Sequence, residues 1–98
     1  VNVILLDEAQ RQLEAEDAWW REHRDAKDLL IEEFEQALRH LSESPSTGQR
    51  YRWNRGKLVQ RWLMRKTGCY LYYFHDRERG VVEIHSLWGA RRGQGPRL

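Results

Sequence analysis

Between Gly56 and Arg92 the chain reads GKLVQRWLMRKTGCYLYYFHDRERGVVEIHSLWGARR, and three runs within it combine β-branched and aromatic residues between clusters of turn residues. That composition predicts three strands joined by two tight reversals. Leu58 to Met64 sets Leu58, Gln60, Trp62 and Met64 against Val59, Arg61, Leu63 and Arg65. Cys69 to His75 is apolar or aromatic on both faces, so it belongs inside a sheet and not at its rim. Val81 to Trp88 opposes Val82, Ile84, Ser86 and Trp88 to Val81, Glu83, His85 and Leu87. Lys66 to Gly68 and Asp76 to Gly80 supply the reversals. The stretch is a β-meander with arginines on one face, ending in an Arg-Arg pair.

Charge divides the chain in two. Residues 1 to 43 hold twelve Asp and Glu against five Lys and Arg, whereas residues 44 to 98 hold three against twelve. The net +2 therefore conceals −7 followed by +9. No acidic residue lies between Ser44 and His75, where Arg50, Arg52, Arg55, Lys57, Arg61, Arg65 and Lys66 all fall. Such a surface suits phosphates or an acidic protein partner. A chain of 98 residues is expected to make one domain with a modest core. Its single cysteine, Cys69, has no internal disulfide partner, and its place in an aromatic strand predicts a buried thiol. The longest apolar run, Cys69 to Phe74, is far short of the roughly 20 residues that span a bilayer. Nothing ahead of Asp7 has the pattern of a secretory signal. A soluble protein of the cytoplasm, without membrane contact, is the expectation.

Val1 to Leu6 reads as a short strand that joins the later three. Asp7 and Gln10 have the spacing of a capping box, and Ala9, Leu13, Glu16 and Trp20 follow at helical intervals. After the charged Arg21 to Arg24, Asp25 can cap a second helix with Asp28 in its first turn. Leu30, Phe34, Leu38 and Leu41 form its apolar stripe, widened by Ile31 and Ala37. It ends by Ser44, because Pro45 removes an amide and restrains the preceding residue. Ser46 to Arg55 reads as a basic loop interleaved with Tyr51 and Trp53. After Trp88 the tail GARRGQGPRL argues against regular structure. The predicted fold is α+β: an antiparallel β-sheet in the order β-α-α-β-β-β, with the N-terminal helical hairpin packed on one face.

Little in the sequence points to catalysis. His23, His40, His75 and His85 lack ligand spacing with Cys69 or with one another, so no metal is expected. No cofactor-binding glycine loop or nucleophile elbow is present. The adjacent acids Glu16 with Asp17, and Glu32 with Glu33, read as a solvated helix face. Trp62, Tyr70, Tyr72, Tyr73, Phe74 and Trp88 could stack bases, although at least half of them are needed to fill the core. Arg61 lies mid-strand, where arginine is placed only if paired or facing a functional surface. Ion pairing with Glu83 and an anion-binding concavity both account for it.

The element order, the Pro45-Ser-Thr-Gly48 after the second helix, Arg61, the YLYYF strand and the ending HSLWGARRG together resemble the RelE/ParE toxin superfamily. The segment from Trp88 to Gly93 is most similar to its ParE-type, plasmid-stabilisation branch. The resemblance covers nearly the whole chain and implies the toxin of a type II toxin-antitoxin pair. It implies a cognate antitoxin that wraps the toxin and carries it to operator DNA only indirectly. ParE-like members poison DNA gyrase without catalysis; RelE-like members cleave mRNA in the ribosomal A site. Arg61 matches the superfamily's strand arginine, and Arg91 and Arg92 match its terminal basic pair. The resemblance thus implies target contacts at Arg61, Arg65, Trp88, Arg91 and Arg92. For a ribonuclease, Lys57, Arg61, His85 and Arg91 would take the catalytic roles. Cleaving relatives carry an arginine where this chain has Tyr70 or Leu71, which favours the gyrase-directed branch. A toxin decayed to antitoxin binding alone is a third reading. The charge division implies an acidic, amphipathic antitoxin tail lying on the basic meander. Among the three glycines of the tail, Arg91 and Arg92 are expected to project freely, so that replacing them changes stability by less than about 0.5 kcal/mol.

Overall fold

The structure is a computed structural model that describes residues 1–92, 95 and 96. Its elements are β1 (Asn2–Leu5), α1 (Asp7–His23), α2 (Leu29–Glu43), β2 (Gln49–Asn54), β3 (Lys57–Met64), β4 (Cys69–Asp76) and β5 (Val81–Gly89), closed by a 3-10 turn at Ala90–Arg92. The architecture is α+β, as expected. However, the described sheet has five strands, in the order β1-β5-β4-β3-β2, and it is mixed because β1 runs parallel to β5. The meander is antiparallel throughout, and β4, apolar on both faces, has a strand on each side.

The additional strand lies in the segment read as a loop. Its alternation is obscured by a bulge at Tyr51, between the pairs Arg50–Gln60 and Arg52–Val59. An extra residue flips the side-chain pattern midway, so the period of two is never repeated long enough to read. Arg55 (φ 53°) and Gly56 (φ 77°) then close the β2–β3 hairpin in the left-handed conformation that tight hairpins favour.

Both helices lie on one face of the sheet. Ala9, Leu13 and Trp20 of α1 and Leu30, Phe34, Ala37 and Leu41 of α2 share a core with Met64, Leu71, Tyr73, Val82, Ile84 and Leu87. Neither expected side-chain cap is made. Asp7 is already helical behind Leu6, and α2 starts after Asp28, three residues beyond Asp25, with no capping bond from either flanking side chain. The linker is held by other contacts: Trp20 Nε1 donates to the Ala26 carbonyl at 2.6 Å, and Arg21 bridges Asp17 and Asp28 at 3.1 and 3.0 Å.

Three polar contacts fix the sheet to the helices. Glu33 of α2 accepts bonds from the Lys66 and Thr67 amides and the Thr67 hydroxyl, at 2.7 to 2.9 Å, and so sets the β3–β4 reversal. Gln12 Oε1 takes the Ser86 hydroxyl and the Leu87 amide, both at 2.8 Å, where β1 has ended opposite Ile84 and β5 keeps a neighbour only in β4. Tyr73 donates its hydroxyl to the Pro45 carbonyl and receives the Gly48 amide. A Cβ at Gly48 would collide with that hydroxyl, so only glycine fits there.

Candidate functional site

With the helices on one face, Arg61 stands near the middle of the other, where Val59 and Tyr72 are buried and Gly95 comes close to the Tyr51 hydroxyl. Its β3 backbone pairs with Gln49 on one side and Tyr72 on the other. The guanidinium lies 4.5 Å from the Tyr70 ring centre and 5.4 Å from that of Tyr51, and its Nε donates to Gln49 Oε1 at 3.3 Å. Tyr51 meets Tyr72 edge-on at 4.8 Å. Burial pushes the Tyr72 phenol up from its ordinary value, and a hydrogen bond with Arg61 works against that rise. Tyr72 is therefore a neutral wall beside a cation that stacks on two further tyrosines.

Of the two accounts of Arg61, ion pairing with Glu83 is not made. That carboxylate is occupied by Arg79 and His85 at 3.3 Å and Lys57 at 3.7 Å. Among the described residues Arg61 has no acidic partner. Two hollows open beside it. One, of about 260 Å³, is lined by Thr47, Gln49, Arg61, Leu63, Arg65 and Tyr70. The other, of about 150 Å³, is bounded by the three tyrosines, Arg61, Trp88 and Gly95. A cation held by aromatic faces and lining two hollows can receive an anionic or carbonyl oxygen.

Arg65 lines the larger hollow and Trp88 the smaller, so both share the neighbourhood of Arg61. Lys57 and His85 meet instead at Glu83, with Lys57 also 5.0 Å from the Phe74 ring centre. Arg91 is engaged elsewhere: it bonds Glu16 at 3.1 Å and lies 3.9 Å from the ring centre of Trp19 on α1. Lys57, Arg61, His85 and Arg91 are thus not gathered around one point.

The arginine pair does not project freely. Arg91 Nη2 and Arg92 Nε both reach Glu16 Oε1 at 3.1 Å, and Arg92 also stacks over Trp88 at 4.8 Å. Glu16, read as part of a solvated face, is 2% exposed. Its place on the stripe of α1 follows the helical interval of Ala9, Leu13 and Trp20, but its charge is tolerated there because a cationic partner arrives from the other end of the chain. Gly89 permits the approach, since its Cβ position lies 3.2 Å from Glu16 Oε1. The tail also forms a 3-10 turn and not wholly irregular chain; Gly93, Gln94, Arg97 and Leu98 lie outside the described residues.

The tyrosine that completes the Arg61 cup, Tyr51, lies in β2, where the sequence predicts a loop. The signal available was its interleaving with Arg50 and Arg52. Among the described residues no group of His, Cys, Asp and Glu could hold a metal, and no helix is long and apolar enough to cross a membrane. No protein-family model and no curated protein sequence matches the chain.

Proposed function

We propose that this chain is the toxin of a type II toxin-antitoxin pair in the RelE/ParE manner, acting in a bacterial cytoplasm by binding DNA gyrase without catalysis. The observation that carries this reading is Arg61: a mid-strand cation with no acidic partner among the described residues, cupped by tyrosines on the face opposite the helices. An arginine retained in such a place serves recognition, because packing would be better met by an apolar side chain. Arg65 and Trp88 extend the same surface and complete the target contact. The basic meander is also where the acidic, amphipathic tail of a cognate antitoxin would lie.

The alternative, a ribosome-dependent mRNA endoribonuclease, needs an acid, a base and cations around one phosphate. Lys57 and His85 sit on Glu83, and Arg91 sits on Glu16, so three of the four candidate groups are already engaged with carboxylates. That arrangement favours the non-catalytic reading. Induction of the chain in a bacterial host, with mapping of mRNA ends, tests the choice. Growth arrest without new mRNA ends supports gyrase poisoning. Arrest accompanied by breaks at codon boundaries would transfer the assignment to ribonuclease.

A further inference from the structure

A second feature lies on the helix-bearing side of the sheet, beyond the reach of the helices. The β2–β3 hairpin carries Arg50, Arg52, Arg55 and Lys57 with no acid from Gln49 to Lys57. Trp53, which pairs with Leu58 near the turn, is 71% exposed. Beside it opens a hollow of about 500 Å³ whose wall carries Trp53, Gln60, His75 and Arg77 together with two acids, Glu78 and the Arg79-paired Asp76. His75 Nδ1 is buried and has no partner among the described residues. Gln60 spends its Nε2 on the Ser46 and Gly48 carbonyls, which leaves Oε1 to accept. By register Arg50 shares the face of Gln60 and Trp53, while Arg55 sits at the turn and Arg77 on the rim.

We propose that this hairpin and hollow bind single-stranded nucleic acid, with one base stacked on Trp53 at the mouth of the hollow and the backbone phosphates on Arg50, Arg55 and Arg77. An exposed indole beside cations that make no salt bridge among the described residues is the pairing that single strands use, a π-face for a base and charge for its phosphates. Gln60 and His75 add polar edges that a splayed base can meet. A duplex keeps its bases stacked and cannot use the hollow. An added peptide strand is disfavoured at this edge, because the Tyr51 bulge interrupts the ladder and the arginines blunt it. A second copy would set arginine rows against each other.

The surface is separate from the Arg61 cup, and the test uses the purified chain without gyrase, so neither proposal stands or falls with the other. Anisotropy with labelled oligonucleotides of about 12 residues, deoxyadenosine and riboadenosine in parallel, measures binding as salt is raised. Three phosphate contacts predict a log–log salt slope of about −2 for single strands. Trp53→Ala should weaken binding roughly tenfold or more, with Trp53→Phe retaining most of it. Arg50→Ala with Arg55→Ala should flatten the slope. Equal affinity for both sugars supports reading of base and phosphate alone; preference for the ribo-oligomer supports an added contact to the 2′-hydroxyl. Thermal melts of each variant establish that it is folded, which the exposure of Trp53 leads us to expect. Absence of binding at low salt overturns the proposal. So do equal binding of a duplex, indifference to Trp53→Ala, and a site filled only by a polyglutamate peptide.

Discussion

Replacing Arg91 and Arg92 together by alanine should destabilise the fold, contrary to what their place in a glycine-rich tail suggests. Glu16 is 2% exposed, and both arginines converge on its Oε1 at 3.1 Å. Removing one partner of a buried pair costs about 3 to 5 kcal/mol, because the remaining charge keeps its desolvation penalty. The arginine side chains are 40% and 32% exposed, so water can enter where they stood. That screening reduces the cost to about 2 to 3 kcal/mol. For a domain of this size the melting temperature would fall by roughly 10 to 20 °C. Each single alanine variant leaves the other arginine on the same oxygen and should cost no more than about 1 kcal/mol, so the double variant exceeds the sum. Adding Glu16→Gln to the double variant removes the stranded charge and should recover part of the loss. Circular dichroism melts of the four variants measure the cycle. A double variant that melts within about 2 °C of the parent would refute the reasoning, since a buried carboxylate would then need no cation.

Other contacts give further expectations. Glu33→Gln should lose about 1 to 3 kcal/mol in urea unfolding, because three donors of the β3–β4 reversal share its carboxylate. Tyr73→Phe frees the Pro45–Gly48 segment at a cost of about 1 to 2 kcal/mol, and limited proteolysis should then cut there first. Burial, the largest cause, pushes the Cys69 thiol up to about 11 from its ordinary 9.0. The folded thiol therefore stays neutral at pH 9 while the unfolded one ionises, so its contribution to stability is full below 9.0 and is lost as pH rises through about 11. Iodoacetamide at pH 8 should label Cys69 rapidly in denaturant and slowly in the native chain.

The sequence made the meander legible because each of its strands keeps an uninterrupted character bounded by Gly68 and Gly80. The helices were legible in type and face, since Leu30, Phe34 and Leu41 hold the helical interval and are buried. Their caps were not, because the N-cap residues, Leu6 and Asp28, make no side-chain capping bond and α2 starts three residues beyond Asp25. β2 was hidden by its bulge. Its edge position also removes the need for apolar residues, so QRYRWN carries the composition of a loop. Of the candidate site, Arg61 stood out by its improbable position. Tyr51 did not, and Glu16 showed its place on the α1 stripe but not its pairing, because their partners are brought near only by the folded chain: Arg61 for the first, Arg91 and Arg92 for the second.

The central claim, that Arg61 on the face opposite the helices engages gyrase, is tested most directly by supercoiling of relaxed plasmid with purified gyrase and purified chain. Arg61 is half-buried and has no carboxylate to strand among the described residues, so Arg61→Ala should melt close to the parent. The account predicts that the parent chain inhibits supercoiling and that the folded Arg61→Ala variant has lost most of that inhibition. Full inhibition by the variant, or none by the parent, would contradict it.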